Sequence, residues 1–391
     1  MYIIYLLVSS SDHIVHIEST SCLTMESEGQ TNNKMTPFEF YAKIGNPKFF
    51  VAPMVEHSEL AYRMLCRKFG APVVFTQMIH AKSFVASAQV REQMFTTCPQ
   101  DRPLIVQFNG DDPETILAAA KYVEDRCDAV DINLGCPQGI AKRGHYGAFL
   151  MEELDLLTSI VRTVSCGLKI PVTCKTRVYT DFERSVRLAE TLYQAGASML
   201  TIHGRTREQK QQMTGEVNWN MLRRLKEHFG NKVPIVANGG IQFLEDVRRC
   251  LELTGCDGVM SSEGVLENPA LFSGGLDAEG RKLTQLDIAE EYLVHCRQYP
   301  EPTLLKKIRG HMMKFLYRYF TVHTEVRNMM GTARTIDDFD EVCRVSCVDC
   351  EICHVSMRLD MGFIHDDLHP FHDGLLNGWW GELQNGVLFA N

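Results

Sequence analysis

The sequence predicts an α/β protein: a TIM (β/α)8 barrel followed by a small all-helical domain. Three observations carry that expectation. Eight short, apolar, β-rich runs alternate with helix-like stretches from residue 49 to residue 264. Near-continuous apolar strands separated by helical patterns imply a parallel sheet covered on both faces, and eight such units in about 220 residues match this barrel. Each run ends in or near a polar or flexible group, which places such groups around one rim. Beyond Pro269 the helical periodicity continues without strands.

Taken in order, residues 1–36 are rich in Ser, Thr and Asn without periodicity and read as a flexible extension. The barrel is expected over 37–275. Its strands are FFVAPM (49–54), VVFTQM (73–78), LIVQF (104–108), AVDIN (129–133), VTCK (172–175), MLTIH (199–203), PIVANGG (234–240) and GVMSSEG (258–264). Their carboxyl ends carry Met54, Gln77, Gln107, Asn133, Lys175, His203, Asn238 and Glu263. In this barrel class that rim carries the chemistry. The helices between them are punctuated as helices should be. Asp112 and Pro113 open 113–125 as N-cap and first-turn proline. Segments 183–195 and 243–253 end near Gly196 and Gly255. Helical patterns at 286–299 and 302–330 make a second domain over 280–340, too small for a large core unless it packs on the barrel. Residues 341–391 read as a divergent, acidic, Cys-containing tail.

Composition bounds the function. The chain has 391 residues, of which 45% are hydrophobic and 23% charged, values that exclude a wholly disordered or fibrous chain. No apolar run approaches the roughly 20 residues of a membrane-spanning helix, so no membrane partner is expected. The net charge of −9 excludes a bulk basic nucleic-acid binder. The acidity belongs to the two ends, however. Residues 303–334 hold seven Lys or Arg against the single acid Glu325, with aromatic residues interleaved. Of 14 cysteines, ten are scattered from Cys22 to Cys296, and the opening MYIIYLL lacks the basic flank of a secretory signal. A reducing, intracellular location, in cytoplasm or nucleus, with thiols packed in the core is expected. Cys343, Cys347, Cys350 and Cys353, with His354, crowd too closely for a tetrahedral metal shell, so no metal site is expected.

The candidate chemistry sits on the rim. The strand at 129–133 runs into LGCPQGIAKRGHYGAFL. Asn133 ends the strand, Gly135 permits a bend, and Cys136 follows on the rim. Lys142, Arg143 and His145 supply the basic surroundings of a functional thiol or an anion-binding loop. The last two strands end in ANGG and SSEG, where Gly239, Gly240 and Gly264 let main-chain N–H groups approach a phosphate. Gln107, Lys175 and His203 would then line the rest of the same ligand, a flat, electron-rich ring.

These motifs resemble those of the tRNA-dihydrouridine synthases, in particular the eukaryotic branch that acts on the D loop of cytoplasmic tRNA. The resemblance covers about residues 49–340 and rests on APMVEHSELAYR (52–63), DINLGCPQ with AKRGHYGAFL (131–150), PVTCKTRV (171–178), TIHGRTREQK (201–210) and VANGGI (236–241). It implies an FMN at the barrel mouth, with NADPH or NADH as reductant. Pro53 and Met54 would back the ring, and Gln107, Lys175 and His203 would contact it. Asn238, Gly239, Gly240, Glu263 and Gly264 would hold the phosphate. It implies tRNA as the partner, met by Asn133, Lys142, Arg143, His145, Arg177 and Arg205 at the mouth and by Lys306, Lys307 and Arg309 in an RNA-binding helical domain.

The implied reaction reduces uridine to 5,6-dihydrouridine, at positions 16 and 17 in this branch. Hydride goes to carbon 6 and a proton from Cys136 to carbon 5. A thiol with an ordinary pKa near 8.5 is mostly protonated at neutral pH, so it needs no activation as an acid. The target base must first leave the folded RNA. A monomer is expected. Two other readings fit the same residues: a flavin barrel acting on a free pyrimidine or enone, and an inactive tRNA-binding isoform.

Overall fold

Parallel pairing around a closed ring organises the chain. The computed structural model describes residues 35–353 apart from 211, 212 and 303. Its strands are β1 (Phe49–Val51), β2 (Val73–Phe75), β3 (Ile79–His80), β4 (Leu104–Asn109), β5 (Ala129–Leu134), β6 (Val172–Arg177), β7 (Ala197–His203), β8 (Ile235–Asn238) and β9 (Gly258–Ser261). Neighbours run β2-β1-β9-β8-β7-β6-β5-β4, and β2 pairs again with β4 to close an eight-stranded barrel. β3 is a two-residue addition on β4. The run expected over 73–78 stops at Phe75 because Thr76 breaks the ladder. The Thr76 hydroxyl, not a carbonyl, accepts from Gln107 N at 3.1 Å.

Around the barrel lie α1 (Pro37–Lys43), α2 (Leu60–Lys68), α3 (Ala81–Ala86), α4 (Ala88–Met94), α5 (Pro113–Lys121), α6 (Gly139–Arg143), α7 (Leu154–Gly167), α8 (Phe182–Gln194), α9 (Trp219–Phe229), α10 (Leu244–Thr254) and α11 (Glu263–Glu267). The expected caps are present: Asp112 accepts from Thr115 N at 2.8 Å, and Gly255 ends α10 in the left-handed conformation. Sequence reading assigned no element to residues 37–48, yet α1 forms there behind a capping box of Thr36 and Glu39. It contributes Phe40 and Tyr41 to a cluster with Phe50, Phe75, Ile105, Met199, Val236 and Met260. Tyr41 donates to Pro47 O at 2.5 Å. A Cβ at Gly258 would stand 2.6 Å from Phe50, so only glycine admits this packing. Each fully buried aromatic there contributes about 1.5–3 kcal/mol. Apolar side chains fill this layer of the barrel, and a polar layer lies nearer the carboxyl ends of the strands.

The helical part comprises α12 (Gln285–Gln298), α13 (Leu304–Phe315), α14 (Tyr317–Val322), α15 (Thr324–Thr332) and α16 (Ile336–Cys353). α16 crosses residue 340, where the sequence pattern suggested that the helical domain ends. Phe339, Val342, Cys343 and Ser346 lie at helical spacing and are all buried, with α12 the main neighbour. Acids on the opposite face masked that periodicity. Of the tail cluster, Cys343 is a buried thiol. The expectations for residues 1–34, for the other clustered cysteines with His354, and for the tail beyond fall outside the described side chains. The helical part and the barrel share one compact unit. Glu59, the N-cap of α2, binds both of the neighbouring helices: its carboxylate accepts from Tyr292 of α12 at 2.6 Å and from His311 of α13 at 3.0 Å.

Candidate active site

Strand alternation puts Gln107, Asp131, Asn133, Thr173, Lys175, Thr201 and His203 on the inner face of the barrel, toward the carboxyl ends of β4 to β7. Lys175 pairs in register with Asn133 on one side and Thr201 on the other. Burial and the neighbouring Arg177 push the Lys175 ammonium down to about 8, against the pull of Asp131 and Cys136. It therefore stays protonated at neutral pH. Burial, then the cations Lys175, Arg177 and Arg205, hold His203 well below its ordinary value, so its ring is neutral there.

Cys136 is partly exposed in the loop after β5, and its main chain is held on several sides. Asn133 Oδ1 accepts from Cys136 N at 3.0 Å and from Gly135 N at 3.2 Å. Ala148 N donates to Cys136 O at 3.0 Å. Gly147, at φ +68°, lies so close that a Cβ would meet Cys136 O at 2.8 Å. Lys210 Nζ reaches Pro137 O at 2.8 Å, a contact with no signal in the sequence pattern. The thiol is thus presented by a rigid loop.

The loops after β7, β8 and β9 converge on the same side. A Cβ on Gly239 (φ +102°) would come within 2.7 Å of the His203 ring, and one on Gly240 (φ +74°) within 2.5 Å of Val217. Trp219 Nε1 donates to Gly239 O at 3.1 Å. Arg205 lies 3.4 Å from His203 Nε2 and within electrostatic reach of Glu263. Asn238 ties β8 to β9 by donating to Met260 O at 2.9 Å. A Cβ on Gly264 would stand 2.5 Å from Ile241 O. After β1, Met54 N donates to Ser58 Oγ at 2.9 Å, and Pro53 is half-buried beside Ala52, whose N–H bonds to Ser261 O.

This donor set fits a planar ring rich in acceptors with a single phosphate. Lys175 and Arg205 bring positive charge and His203 a neutral ring. At Gly239 and Gly240 a Cβ would collide with His203 and Val217, so the tight turn after β8 requires glycine. Thr201 Oγ1 and Asn109 Oδ1 are buried without a protein partner, two polar atoms on the ring of inward positions that a ligand can satisfy.

Other anticipated residues stand elsewhere. Arg177 is buried and spends its guanidinium on the carbonyls of Gly135, at 2.7 Å, and Thr206, at 2.9 Å. It braces the Cys136 loop from beneath. His145 bridges Asp111 at 2.9 Å and Glu153 at 2.7 Å. Lys142 and Arg143 are exposed on α6, next to the Cys136 loop. Lys307 is buried in an ion pair with Glu301 at 2.7 Å, and Arg309 donates to Ala333 O at 2.6 Å. Of that trio only Lys306 is exposed, and it pairs with Glu56 of the β1–α2 loop at 2.7 Å. Hence Lys306, Lys307 and Arg309 do not form one cationic face. Asp131, Thr201 and Lys210 are the site residues that sequence reading missed.

The family described as dihydrouridine synthase (Dus) matches residues 50–350. The chain belongs to the dihydrouridine synthase family. A protein of Mus musculus named as a tRNA-dihydrouridine(16/17) synthase-like protein is 44% identical over 321 residues, which are 81% of this chain and 66% of that one. The tRNA-dihydrouridine(16/17) synthase of Saccharomyces cerevisiae is 44% identical over 79% of this chain and 74% of its own length. That of Schizosaccharomyces pombe is 41% identical over 79% of each. The family match runs to residue 350 and so takes in most of α16 as well as the barrel. Cys136, Lys175, His203 and the glycine turn all lie inside it.

Proposed function

We propose that this chain is a tRNA-dihydrouridine synthase that reduces uridines 16 and 17 of the D loop, with FMN as cofactor, NADPH or NADH as reductant and Cys136 as acid. The observation that carries the reading is a rigidly held, partly exposed thiol on the rim of a cation-lined barrel mouth, in a chain whose relatives bear that activity in their names. FMN held by Lys175, His203, Arg205 and the Gly239–Gly240 turn would supply the hydride chemistry that links NAD(P)H to carbon 6 of the uracil. Protein groups do the rest. Cys136 Sγ gives its proton to carbon 5, and solvent restores it. Protonated Lys175 would set positive charge against the bound ring. Neutral His203 and Arg205 close the other side of the mouth, and the turn at Gly239 and Gly240 takes the phosphate. Asn133, braced by Gln107, faces the incoming base. Lys142, Arg143 and Lys306 meet the RNA backbone around the opening. Such an enzyme works where tRNA is found, in cytoplasm or nucleus. No helix among the described residues is long and apolar enough to cross a membrane.

The test is direct. The purified chain should be yellow, release FMN on denaturation, and form dihydrouridine in unmodified tRNA but not in free uridine. A colourless protein that takes up no flavin on reconstitution overturns the reading. Turnover of free uridine would instead favour the small-molecule flavin barrel.

A further inference from the structure

Four polar side chains inside the barrel form one directed chain. Asp131 is completely buried. Its Oδ1 accepts from Thr173 Oγ1 at 2.6 Å and its Oδ2 from Gln107 Nε2 at 2.8 Å. Gln107 Oε1 in turn accepts from Asn133 Nδ2 at 2.8 Å. Asn133 Oδ1 is left for the N–H groups of Gly135 and Cys136, at 3.2 and 3.0 Å.

The direction of this chain follows from one group. A carboxylate only accepts hydrogen bonds, whereas an amide can present either end. Facing Asp131, Gln107 must offer its nitrogen, which turns its oxygen to Asn133. Asn133 must then offer nitrogen to Gln107, which turns its own oxygen to the main chain at Cys136. A donor at position 131 would reverse both amides and set Asn133 Nδ2 against the Cys136 N–H. Burying a carboxylate is costly, and Lys175 is the nearby charge that compensates it. We propose that Asp131 is a positioning residue for Cys136: its carboxylate fixes the polarity of the Gln107–Asn133 amide chain, and that polarity holds the Cys136 main chain where its thiol can serve the substrate. The part that concerns substrate rests on the reading of Cys136 as the acid.

The experiment reads the loop without relying on turnover. Peptide-resolved alkylation of the full-length, flavin-free protein by iodoacetamide follows Cys136, with partly exposed Cys98 and exposed Cys166 as internal controls. Asp131→Asn can keep the Thr173 bond through its oxygen and present nitrogen to Gln107. It should change the Cys136 rate by about tenfold, the scale of one lost hydrogen bond, and leave Cys98 and Cys166 unchanged. Asn133→Asp alone sets two carboxylates competing for one amide nitrogen and should disturb the loop as well. The double variant, Asp131→Asn with Asn133→Asp, satisfies the chain in reverse. The introduced carboxylate accepts from both Gln107 and Cys136 N, and the rate should return to within about twofold of wild type. A role limited to bulk stability does not give that return. One limited to balancing the Lys175 charge would instead be relieved by adding Lys175→Met to Asp131→Asn, whereas a positioning role leaves that rate displaced. If Asp131→Asn fails to fold, the double variant decides: a folded double variant with wild-type alkylation supports the proposal, and an unfolded one overturns it. A folded Asp131→Asn with wild-type alkylation overturns it too.

A second readout separates this proposal from the function itself. In flavin-loaded Asp131→Asn, oxidation of the reduced flavin by tRNA should slow by about 10- to 100-fold, clearly more than its reduction by NAD(P)H slows. Equal loss in both half-reactions would overturn the link to Cys136. A wild-type protein that forms no dihydrouridine defeats the functional reading and the clause about substrate, while the alkylation series still judges whether Asp131 sets the loop.

Discussion

At the scale of single residues, what holds the Cys136 loop is main chain, not the thiol. Asn133 and Ala148 bond its N–H and C=O, and Gly147 packs beneath. Cys136→Ala should therefore keep fold and flavin. Reduction by NAD(P)H should persist, and oxidation by tRNA should slow by about 100- to 10,000-fold, the worth of a positioned acid. Equal tRNA-driven rates in single-turnover flavin absorbance would assign the proton elsewhere. Cys174, fully buried inside β6, is the control whose replacement should lower stability but not chemistry. Lys175 makes a pH prediction. Its ammonium titrates near 8, so its charge is present below that pH and lost above it. The NAD(P)H-driven reduction of the flavin, which takes no proton from Cys136, should slow above about pH 8 in wild type, and Lys175→Met should be slower and flat through the same range. A limb near 8 that survives in Lys175→Met assigns it to another group. Cys136, Lys175 and His203 were legible in the sequence because a polar group closing an apolar run stands out. Asp131 and Thr201 were not, since a polar residue within a strand reads as an interruption until its cross-strand partners are known.

At the scale of elements, the strands were legible and the faces of the helices were not. Apolar runs located all eight barrel strands, because parallel strands covered on both sides must be apolar almost throughout. Composition showed that α13 is basic but not where each cation points. Lys307 lies on the buried side against Glu301, whose carboxylate also accepts from Leu60 N at 2.9 Å. Breaking one partner of such a buried pair costs about 3–5 kcal/mol. Lys307→Ala should thus lower the denaturation midpoint sharply, while the protein that remains folded binds tRNA as wild type does. Lys306→Glu should do the reverse, leaving stability within about 0.5 kcal/mol and weakening tRNA binding together with Lys142→Glu and Arg143→Glu. The log–log salt dependence of tRNA binding should lose about one unit of slope per phosphate contact removed. An unchanged slope in the triple variant would move the RNA surface away from this side of the mouth. α16 was missed for a related reason: its acids and cysteines looked like a tail, but one face closes on α12.

At the scale of the whole molecule, the junction between barrel and helices is polar, buried and sensitive to acid. Glu59 meets Tyr292 and His311 there, and His57 stacks edge-on against His311 with ring centroids 5.0 Å apart. A Cβ at Gly310 would stand 2.9 Å from the His57 ring, so α13 approaches closely. Burial, then the neighbouring His311, pulls His57 down to about 4. A histidine lowered in the fold is bound by protons more readily when unfolded. Its contribution is therefore complete above its unfolded value of about 6.5 and is lost as pH falls toward 4, about 3 kcal/mol in all. Burial raises Glu59, but the His311 and Tyr292 contacts outweigh it and hold the carboxyl at about 2, so its contribution is lost only below about pH 4.5. Asp131 works against His57. Burial lifts it to about 6, so its ionisation removes stability as pH rises from about 4 to 6. Asp131 and His57 oppose each other, and His203, also held neutral by the fold, acts in the same direction as His57, so the slope of the wild type alone does not report His57. The difference between wild type and His57→Gln isolates one term. If the junction behaves as the geometry implies, that difference should favour wild type at pH 7 and shrink or reverse by pH 4.5, since the variant has no proton to take up. Calorimetric scans of both proteins at half-unit steps would measure it. A difference that stays constant from pH 7 to 4.5 would mean that His57 titrates normally and that solvent reaches the interface between α13 and the β1–α2 loop, the same place where Lys306 joins Glu56 beside the mouth of the barrel.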